Sequence, residues 1–379
     1  MSKLYVVFCM DTEGPCDDPD NSELLKNWLQ VDSAMDKLFE GKIRTQYQDS
    51  FGKNFKLGWF FLTWTGFSTN PRNRDFGYHK VRDHYREKWG KLMDDYGDEE
   101  CWHYHHPPHS GVGNEWSTDW SSSKEYTNII SRQIIEREWF PVCFRAGGTI
   151  MGAELSQWVD RWFPFDYSNR APLKFTEMDW SDGVISWQPY QPDPIFFKQQ
   201  GTGKRYMTRC MDLHTGLHVL SEEDIFKAFN EASSTGGSIL SVFDHDYRDI
   251  ESRVTAFLSK IQLVAKKFPD VAWEYSTPSD AIVNYIGKKA KTPLKIQTEL
   301  IGKKLNIKAN SKTHQEYPWV VVQDGDGVMR QIVTNIQKTS EHTWEIALDS
   351  IKSVNIIGVA ASNGVGESSI SLIKVNNNT

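Results

Sequence analysis

The fold is decided by the stretch LYVVFCMDTEG, residues 4–14. Its first seven residues are an uninterrupted apolar run of strand length, which is typical of a parallel strand covered on both faces. The run ends in Asp11 and Glu13, just before a Gly-Pro turn. Two carboxylates at the end of such a strand can both face a cleft above the sheet, although an ordinary acidic turn has a similar sequence.

From this stretch onward, apolar runs of strand length alternate with helical patterns as far as residue 286. Alternation of this kind predicts an α/β domain built on a parallel sheet or barrel. Further strands are expected at 55–66, 101–104, 140–144, 205–213, 238–243 and 271–275. Amphipathic helices are expected at 22–40, 81–96, 123–139, 149–162, 221–232, 253–268 and 280–286.

The pattern changes after a basic linker of small residues at 287–292. Seven short strands with alternating hydrophobicity follow, at 294–300, 304–309, 319–323, 328–336, 343–348, 354–360 and 370–375. Turns such as Asp-Gly-Asp-Gly at 324–327 separate them, and this repeat is more typical of a hairpin turn than of a calcium site. We therefore predict two domains, 1–287 and 293–379, of which the second is a small all-β sandwich.

Composition excludes several classes of protein. The 379 residues carry a net charge of −7 and show no basic stripe, which argues against a nucleic-acid partner. No window approaches the 18 apolar residues of a transmembrane helix, and no secretory leader precedes the first strand. The five cysteines are odd in number and scattered, as expected for reduced core thiols. These features predict a cytoplasmic protein; self-association is left open.

Histidines are concentrated in the stretch WHYHHPPHSG, residues 102–111, which holds four of the eleven in the chain. Neutral imidazole is the commonest protein ligand of metals. His105 and His109 are four residues apart, so one helical turn would point both rings the same way, and we expect this pair to bind a metal ion. A solvated polar loop is the alternative. His214 and His218 have the same spacing and form a rival pair, with His214 more typical of a role beside the substrate.

Polar side chains follow several of the expected strands. In α/β barrels the chemistry lies at the carboxyl ends of the strands, so one ring of strand ends could gather them. The residues at such ends are Asp11, Glu13, His105, His109, Arg145 and His245. Two histidines and one carboxylate would leave an open position on zinc, as catalytic sites require. The aromatic segment 163–191 contains Trp180, Trp187 and Tyr190, which suit either a substrate wall or a packed loop.

Taken together, these motifs resemble those of the polysaccharide deacetylases, the NodB-homology domain of carbohydrate esterase family four. The resemblance covers residues 4–286 and not the C-terminal region. It rests on Asp-Thr-Glu-Gly at 11–14, on His105 with His109, on Phe-Arg-Ala-Gly-Gly at 144–148, on Phe-Asp-Tyr-Ser at 165–168 and on His-Asp at 245–246. Glu13 stands where the family usually has Asp, and the family's Asp-Trp motif is met only loosely by Asp179-Trp180.

The resemblance implies a distorted (β/α) barrel and a metal-dependent N-deacetylase. It assigns one divalent ion, expected to be Zn²⁺, to Glu13, His105 and His109. Asp11 would be the general base, Arg145 its ionic partner and His245 the acid, with Asp246 or another carboxylate orienting the imidazole of His245.

The expected substrate is an N-acylated amino sugar, such as a precursor of a surface glycan like O-antigen. The alternatives are hydrolysis of another C–N bond, such as a cyclic imide or ureide, and a non-catalytic glycan-binding protein.

Overall fold

The computed structural model describes residues 2–113, 115, 117–174, 178–214, 219–348 and 353–375. His218, one half of the rival histidine pair, lies outside the described residues. The strands of the first region are β1 (Ser2–Thr12), β2 (Gly58–Thr63), β3 (Glu99–Tyr104), β4 (Cys143–Ala146), β5 (Phe165–Asn169), β6 (Tyr206–Asp212), β7 (Gly237–His245) and β8 (Val271–Tyr275). Its α-helices are α1 (Trp28–Glu40), α2 (Ile43–Gln46), α3 (Lys80–Tyr96), α4 (Glu125–Arg137), α5 (Ala153–Trp162), α6 (Glu222–Thr235), α7 (Glu251–Ala265) and α8 (Pro278–Tyr285).

Seven parallel strands, as far as the chain is described, close into a barrel in the order β2-β3-β4-β5-β6-β7-β1. The closure between β1 and β2 is only partial. The second half of β1 pairs with β2, from Cys9 to Thr12, whereas its first half pairs with β8, from Ser2 to Val6. Strand β8 therefore lies in the seam as an eighth strand, and the barrel is distorted. This arrangement confirms the expected α/β barrel.

Alternate residues of each strand point into the barrel, because side chains in a strand alternate between its two faces. Those inside include Tyr5, Val7 and Cys9 of β1, together with buried cysteines from β3, β4 and β6. Outward-facing residues pack against the helices instead, for example Val6 and Phe8 in the core formed with α1, α6 and α7. All five cysteines are buried and unbridged, as expected for reduced core thiols.

Local capping explains where several helices begin. The expected helix at 22–40 begins only at Trp28, since the side chain of Asn27 caps its first turn. Ser221 and Asp224 form the capping box expected at the start of α6. Thr277 caps α8, with Pro278 in the first helical position.

Two four-stranded antiparallel sheets make up the C-terminal region. The strands are β9 (Ile296–Ile301), β10 (Lys304–Ala309), β11 (Trp319–Asp324), β12 (Met329–Ile332), β13 (Ile336–Ser340), β14 (Thr343–Ala347), β15 (Val354–Ser362) and β16 (Ser368–Lys374). The sheets are β13-β14-β10-β9 and β12-β11-β15-β16, and their inner faces share one core, which confirms the expected sandwich. The expected strand at 328–336 is divided into β12 and β13, with Asn335 in a left-handed conformation between them.

The sandwich shares a second core with the barrel. Trp319 of β11 packs against Trp162 of α5, with ring centroids 4.5 Å apart, and its indole N–H donates to Ser131 of α4. Gln315 reaches across to the carbonyl of Trp162. The C-terminal region is thus packed onto the helices that surround the barrel. Nowhere in the described chain is a helix both long and apolar enough to cross a membrane.

Candidate active site

The strands position the candidate residues by simple alternation. The inward-facing core residues of four strands are followed, two positions later, by a polar residue on the same face at the barrel mouth. The four pairs, each given as core residue and polar residue, are Cys9 and Asp11, Cys101 and His103, Cys143 and Arg145, and Phe243 and His245. Register agrees with this arrangement, since Asp11 lies opposite His245 and His103 lies opposite Arg145 on neighbouring strands.

Glu13, His103 and His105 form a compact cluster at this mouth. The Nε2 atoms of the two histidines are 3.2 Å apart, and each lies 3.5 Å from Oε1 of Glu13. All three side chains are at most 5% exposed. Ligands at about 2.1 Å from a tetrahedral zinc ion lie roughly 3.4 Å from one another, so the three atoms fit such an ion without rearrangement.

The hydrogen bond of His103 fixes which of its nitrogens can bind a metal. Its Nδ1 lies 2.9 Å from the carbonyl oxygen of Arg145, and a carbonyl can only accept. Nδ1 therefore carries the proton, and the lone pair of Nε2 faces Glu13 and His105. Ligation through one ring nitrogen while the other donates to a backbone carbonyl is the usual arrangement for a metal-binding histidine.

Electrostatics keep Glu13 ionised despite its burial. Burial alone would raise its pKa, but Arg74 and the neighbouring imidazoles of His103 and His105 hold the pKa well below its usual range. Nη2 of Arg74 lies 3.0 Å from Oε2 of Glu13, which leaves Oε1 for the histidine cluster. Arg74 comes from the polar loop between β2 and α3, and no periodic pattern marked it in the sequence.

Asp11 stands beside this cluster as a second carboxylate. Its Oδ2 accepts a hydrogen bond from Nε of Arg145 at 2.9 Å, and Nη1 of Arg145 donates to the carbonyl of Tyr167. Oδ1 of Asp11 is buried without a hydrogen-bond partner among the described residues. Arg145 thus fixes the orientation of the Asp11 carboxylate through Oδ2, and Oδ1 can accept a hydrogen bond or a proton from a ligand.

His245 faces both carboxylates across the mouth, with Nε2 3.8 Å from Oδ2 of Asp11 and 3.8 Å from Oε1 of Glu13. Its Nδ1 lies 2.9 Å from Nη1 of Arg248, and a guanidinium can only donate. Burial lowers the pKa of His245 well below its usual value, and Arg248 lowers it further. The ring is therefore neutral, with its proton on Nε2.

Asp246 does not orient the imidazole of His245, which corrects the expected role. Its carboxylate accepts hydrogen bonds from the backbone N–H groups of Glu13 at 2.8 Å and Gly14 at 3.0 Å, and from the Tyr85 hydroxyl. Burial raises the pKa of Asp246 to about 6. Asp246 is thus a positioning residue that fixes the backbone carrying Glu13.

His109 is not part of the cluster, and His103 takes the place expected for it. The side chain of His109 is 72% exposed and its Nε2 lies 3.0 Å from Asp119. The reason is the extent of β3, because this strand runs as far as Tyr104 and its alternation places residues two apart, not four apart, on one face. The spacing His-x-His at the end of an apolar strand was the signal that would have identified His103.

The aromatic residues expected at the substrate wall lie in the core. Trp180, Trp187 and Tyr190 are at most 5% exposed, and none of them lines the cavity at the barrel mouth. Trp180 contacts the cavity wall only from behind. Its indole N–H donates a hydrogen bond to the carbonyl of Thr149, and Thr149 lines the cavity. His214, half-buried at the end of β6, also lies outside the cavity lining.

The cavity at the barrel mouth has a volume of about 200 Å³. Its wall includes Asp11 and Glu13 together with His105 and His245. Thr149 contributes with a left-handed backbone, φ 56°, which is rare for a β-branched residue and typical of functional sites. The wall is also rich in guanidinium groups. The arginines are Arg72, Arg74, Arg145, Arg170 and Arg248.

No family model matches this chain. No curated protein matches it either. Among solved structures, it is similar to a protein of Parabacteroides distasonis provisionally described as a glycoside hydrolase/deacetylase, with 13% identity and a TM-score of 0.42 over 82% of this chain and 80% of that one. It is also similar to a protein of Mycobacterium smegmatis provisionally described as a polysaccharide deacetylase, with 16% identity and a TM-score of 0.44 over 77% of this chain and 95% of that one.

Proposed function

We propose that this protein is a metal-dependent hydrolase that removes an acyl group, in the first place acetyl, from the nitrogen of an amino sugar. The observation that carries the proposal is the buried cluster of Glu13, His103 and His105 beside the ion pair of Asp11 and Arg145. Metal-assisted amide hydrolysis requires ligands for the ion and a nearby carboxylate that can act as a base. The cluster supplies three candidate ligands, and Asp11 supplies the carboxylate.

Glu13, His103 and His105 would hold the ion. When bound there, a divalent ion such as Zn²⁺ supplies a Lewis acid that polarises the acyl carbonyl and lowers the pKa of water. The donor set of two imidazoles and one carboxylate is suited to zinc, and it leaves one coordination position for a reactant.

Asp11 is the general base in this proposal. Its available Oδ1 takes a proton from the water molecule whose oxygen forms the new bond to the carbonyl carbon. Arg145 holds Oδ2 at 2.9 Å, so the carboxylate keeps one orientation. The same pair also keeps the charge of Arg145 compensated in the buried wall.

His245 serves the departing nitrogen. As the C–N bond breaks, the nitrogen must gain a proton, and the Nε2–H of His245 faces the same space as Asp11. The proton that Asp11 took from water passes to this nitrogen, while neutral His245 donates a hydrogen bond from Nε2 and keeps its own proton, so that protons balance over the cycle. Arg248 holds the ring in this tautomer through Nδ1, the task that the sequence resemblance had suggested for Asp246.

Two observations bear on the substrate. The cavity, at about 200 Å³, is smaller than the roughly 300–1,000 Å³ of sites for drug-sized ligands. We therefore expect an acyl group and its own sugar ring to enter, and not a segment of polymer. The amino-sugar class itself comes from the motif resemblance, and a precursor of a surface glycan such as O-antigen is the corresponding substrate.

The test is acyl release from N-acetylated amino sugars, followed as acetate and free amine in equal amounts. We expect release from protein supplied with Zn²⁺, loss after chelation, and recovery when the ion is restored. Release from cyclic imides or ureides but not from N-acyl sugars would favour the other C–N hydrolase. Binding of glycans with no turnover under any divalent metal would contradict the enzyme and favour a binding protein.

A further inference from the structure

We infer that the substrate of this site carries an anionic group, a phosphate or a carboxylate, next to the acylated nitrogen. The inference rests on the proposed function and specifies its substrate. It comes from the charge of the cavity wall, which holds five arginines against the three carboxylates of Asp11, Glu13 and Asp212. The wall therefore has an excess of two positive charges in a chain whose net charge is −7.

Three of the arginines are accounted for by carboxylates of the same wall. Arg145 binds Asp11 at 2.9 Å, and Arg74 binds Glu13 at 3.0 Å. The third pair, Arg170 with Asp212, has a distance of 3.3 Å. These pairs compensate buried charges and would exist whether or not the substrate is charged.

Arg248 is different, because no carboxylate of the wall neutralises it. Its Nη1 donates to His245, a neutral acceptor. Its nearest carboxylate oxygen, on Asp244, is 3.8 Å away, and Asp244 is bound more closely by Arg253 at 2.7 Å. Nε of Arg248 is buried and has no hydrogen-bond partner among the residues that the structure describes. A largely buried guanidinium at a cavity, with no carboxylate bound closely to it, is suited to an anionic ligand.

Arg72 is the second arginine without a carboxylate in the wall. It lines the cavity with 38% of its side chain exposed, and within the described chain its one ion pair is with Asp18, through Nε at 2.9 Å. Both Nη atoms of its planar fork can therefore reach a ligand. Arginine binds phosphate and carboxylate oxygens through such a fork in two parallel hydrogen bonds.

A positively charged cavity in an acidic protein also attracts anionic ligands electrostatically before they bind. A cleft lined by one sign of charge raises the local concentration of the opposite sign, and salt screens this effect. An acylated sugar that carries a phosphate ester, a nucleoside diphosphate or a ring carboxylate would supply the negative charge that Arg72 and Arg248 lack within the wall. A neutral sugar would not supply it.

The experiment measures binding by calorimetry to the metal-free full-length protein, so that an anion cannot be held by the metal. The ligands are N-acetylglucosamine, its 1-phosphate, its uridine diphosphate ester and its 3-lactyl ether, which carries a carboxylate. We expect at least one anionic form to bind about tenfold more tightly than the neutral sugar, and this preference to weaken with added salt. The pattern among the three anionic forms distinguishes phosphate, nucleotide and carboxylate.

Arg72→Gln provides the matched variant, and Arg330→Gln provides its control. Arg330 is likewise a surface arginine paired with one aspartate, Asp324, at 3.0 Å, but it belongs to the sandwich. We expect Arg72→Gln to reduce the preference for the anionic sugar about three- to tenfold and Arg330→Gln to keep it. Equal affinity for neutral and anionic sugars, or equal effects of the two variants, would overturn the inference.

The outcomes also separate this inference from the proposed function. If acetate is released from neutral and anionic sugars with the same kcat/KM, and the anionic sugars bind no more tightly, the deacylase stands and the anionic substrate is wrong. If the anionic sugars bind in an Arg72-dependent manner but release no acyl group with any metal, the anion site stands and the deacylase is wrong.

Discussion

Arg145 and Asp11 form an ion pair at 2.9 Å in which the two side chains are 1% and 3% exposed. They come from strands β4 and β1, which are not neighbours in the barrel, so the pair spans the mouth from one wall to another. Burial alone would lower the pKa of Arg145, but Asp11 raises it above its usual value. The pair is therefore a structural contact across the mouth that also fixes the orientation of the Asp11 carboxylate.

Asp11→Asn should remove turnover and keep the metal. Asparagine can still accept from Arg145, but it cannot take a proton, so we expect kcat to fall by about 10²–10⁴-fold. The uncompensated charge of Arg145 should also cost up to about 3–5 kcal/mol of stability. Kinetics, metal content by mass spectrometry and thermal unfolding should be measured on one preparation. Retained turnover in a folded, metal-loaded variant would exclude Asp11 as the base.

His103→Ala and His109→Ala form a matched pair for the metal site. His103 is 1% exposed and within 3.5 Å of the other two candidate ligands, whereas His109 is exposed and contacts Asp119. We expect about one zinc per chain in the wild type, retained in His109→Ala and lost in His103→Ala. Loss in His109→Ala alone would restore the pair expected from the sequence and contradict the geometry.

The fold could be predicted from the sequence because its signals are local. Seven apolar residues before Asp11 are typical of a strand covered on both faces, and most further strands of the barrel repeat that pattern before a helical one. Strand β5 is the exception, because its sequence FDYSN is not an apolar run and, among the described residues, no helix follows it before β6. The division of 328–336 into two strands could not be predicted, since the break depends on a left-handed Asn335, and its neighbours carry no turn residues.

Residues of the candidate site could be predicted when they lie at the ends of strands, but not when they come from loops. Asp11, Glu13, Arg145 and His245 each lie at or just after a strand end, whereas Arg74 enters from a loop that has no periodicity. His103 was missed because two spacings compete in one histidine tract, and only the length of the strand decides between them. Aromatic composition gave no guidance, because a tryptophan such as Trp180 suits a core as well as a sugar-binding wall.

Gly147→Ala should weaken metal binding without replacing any of the candidate ligands. A Cβ at Gly147 would lie 2.1 Å from Cδ2 of His105, so the imidazole or the backbone after β4 must move. Displacing a ligand in this way should weaken zinc affinity by about 10–100-fold. Gly364→Ala is the control, because open space surrounds that position. Zinc titration of both variants with a competing chelator measures the effect, and equal affinities would contradict this role of Gly147.

Glu99 should make stability depend on pH, far from the candidate site. Its carboxylate accepts hydrogen bonds from the backbone N–H and hydroxyl of Ser279, and burial raises its pKa from 4.5 to about 7. Between these values the folded state holds more protons than the unfolded state, so the free energy of unfolding falls as pH rises. The loss is on the order of 2 kcal/mol.

Glu99→Gln removes this titration, so its stability should change less than that of the wild type from about pH 4.5 to about 7. Urea unfolding at several pH values measures both slopes. If the two slopes are the same, the pKa of Glu99 does not differ between the folded and unfolded states, which would contradict this prediction.

Gly358→Ala tests whether barrel and sandwich are stabilised through one shared core. Gly358 lies in β15 where the sheet approaches α4, and a Cβ there would be 2.9 Å from Ile134, 3.0 Å from Val321 and 3.1 Å from Ile135. These atoms belong to buried side chains with little room to move, so the extra methyl group overpacks the interface. We expect a loss of about 1–3 kcal/mol, whereas Gly364→Ala, in a turn of the same region, should be close to neutral.

The number of unfolding transitions also tests whether the barrel and the sandwich are stabilised through a shared core. Because Trp319 and Val321 of the sandwich belong to the same buried cluster as Ile134 of α4, the wild type should unfold in one cooperative transition. Gly358→Ala should lower the midpoint of that transition for tryptophan fluorescence and for far-UV circular dichroism alike. Two separate transitions, with only the less stable one shifted, would mean that the sandwich unfolds independently and that the interface contributes little to the stability of the barrel.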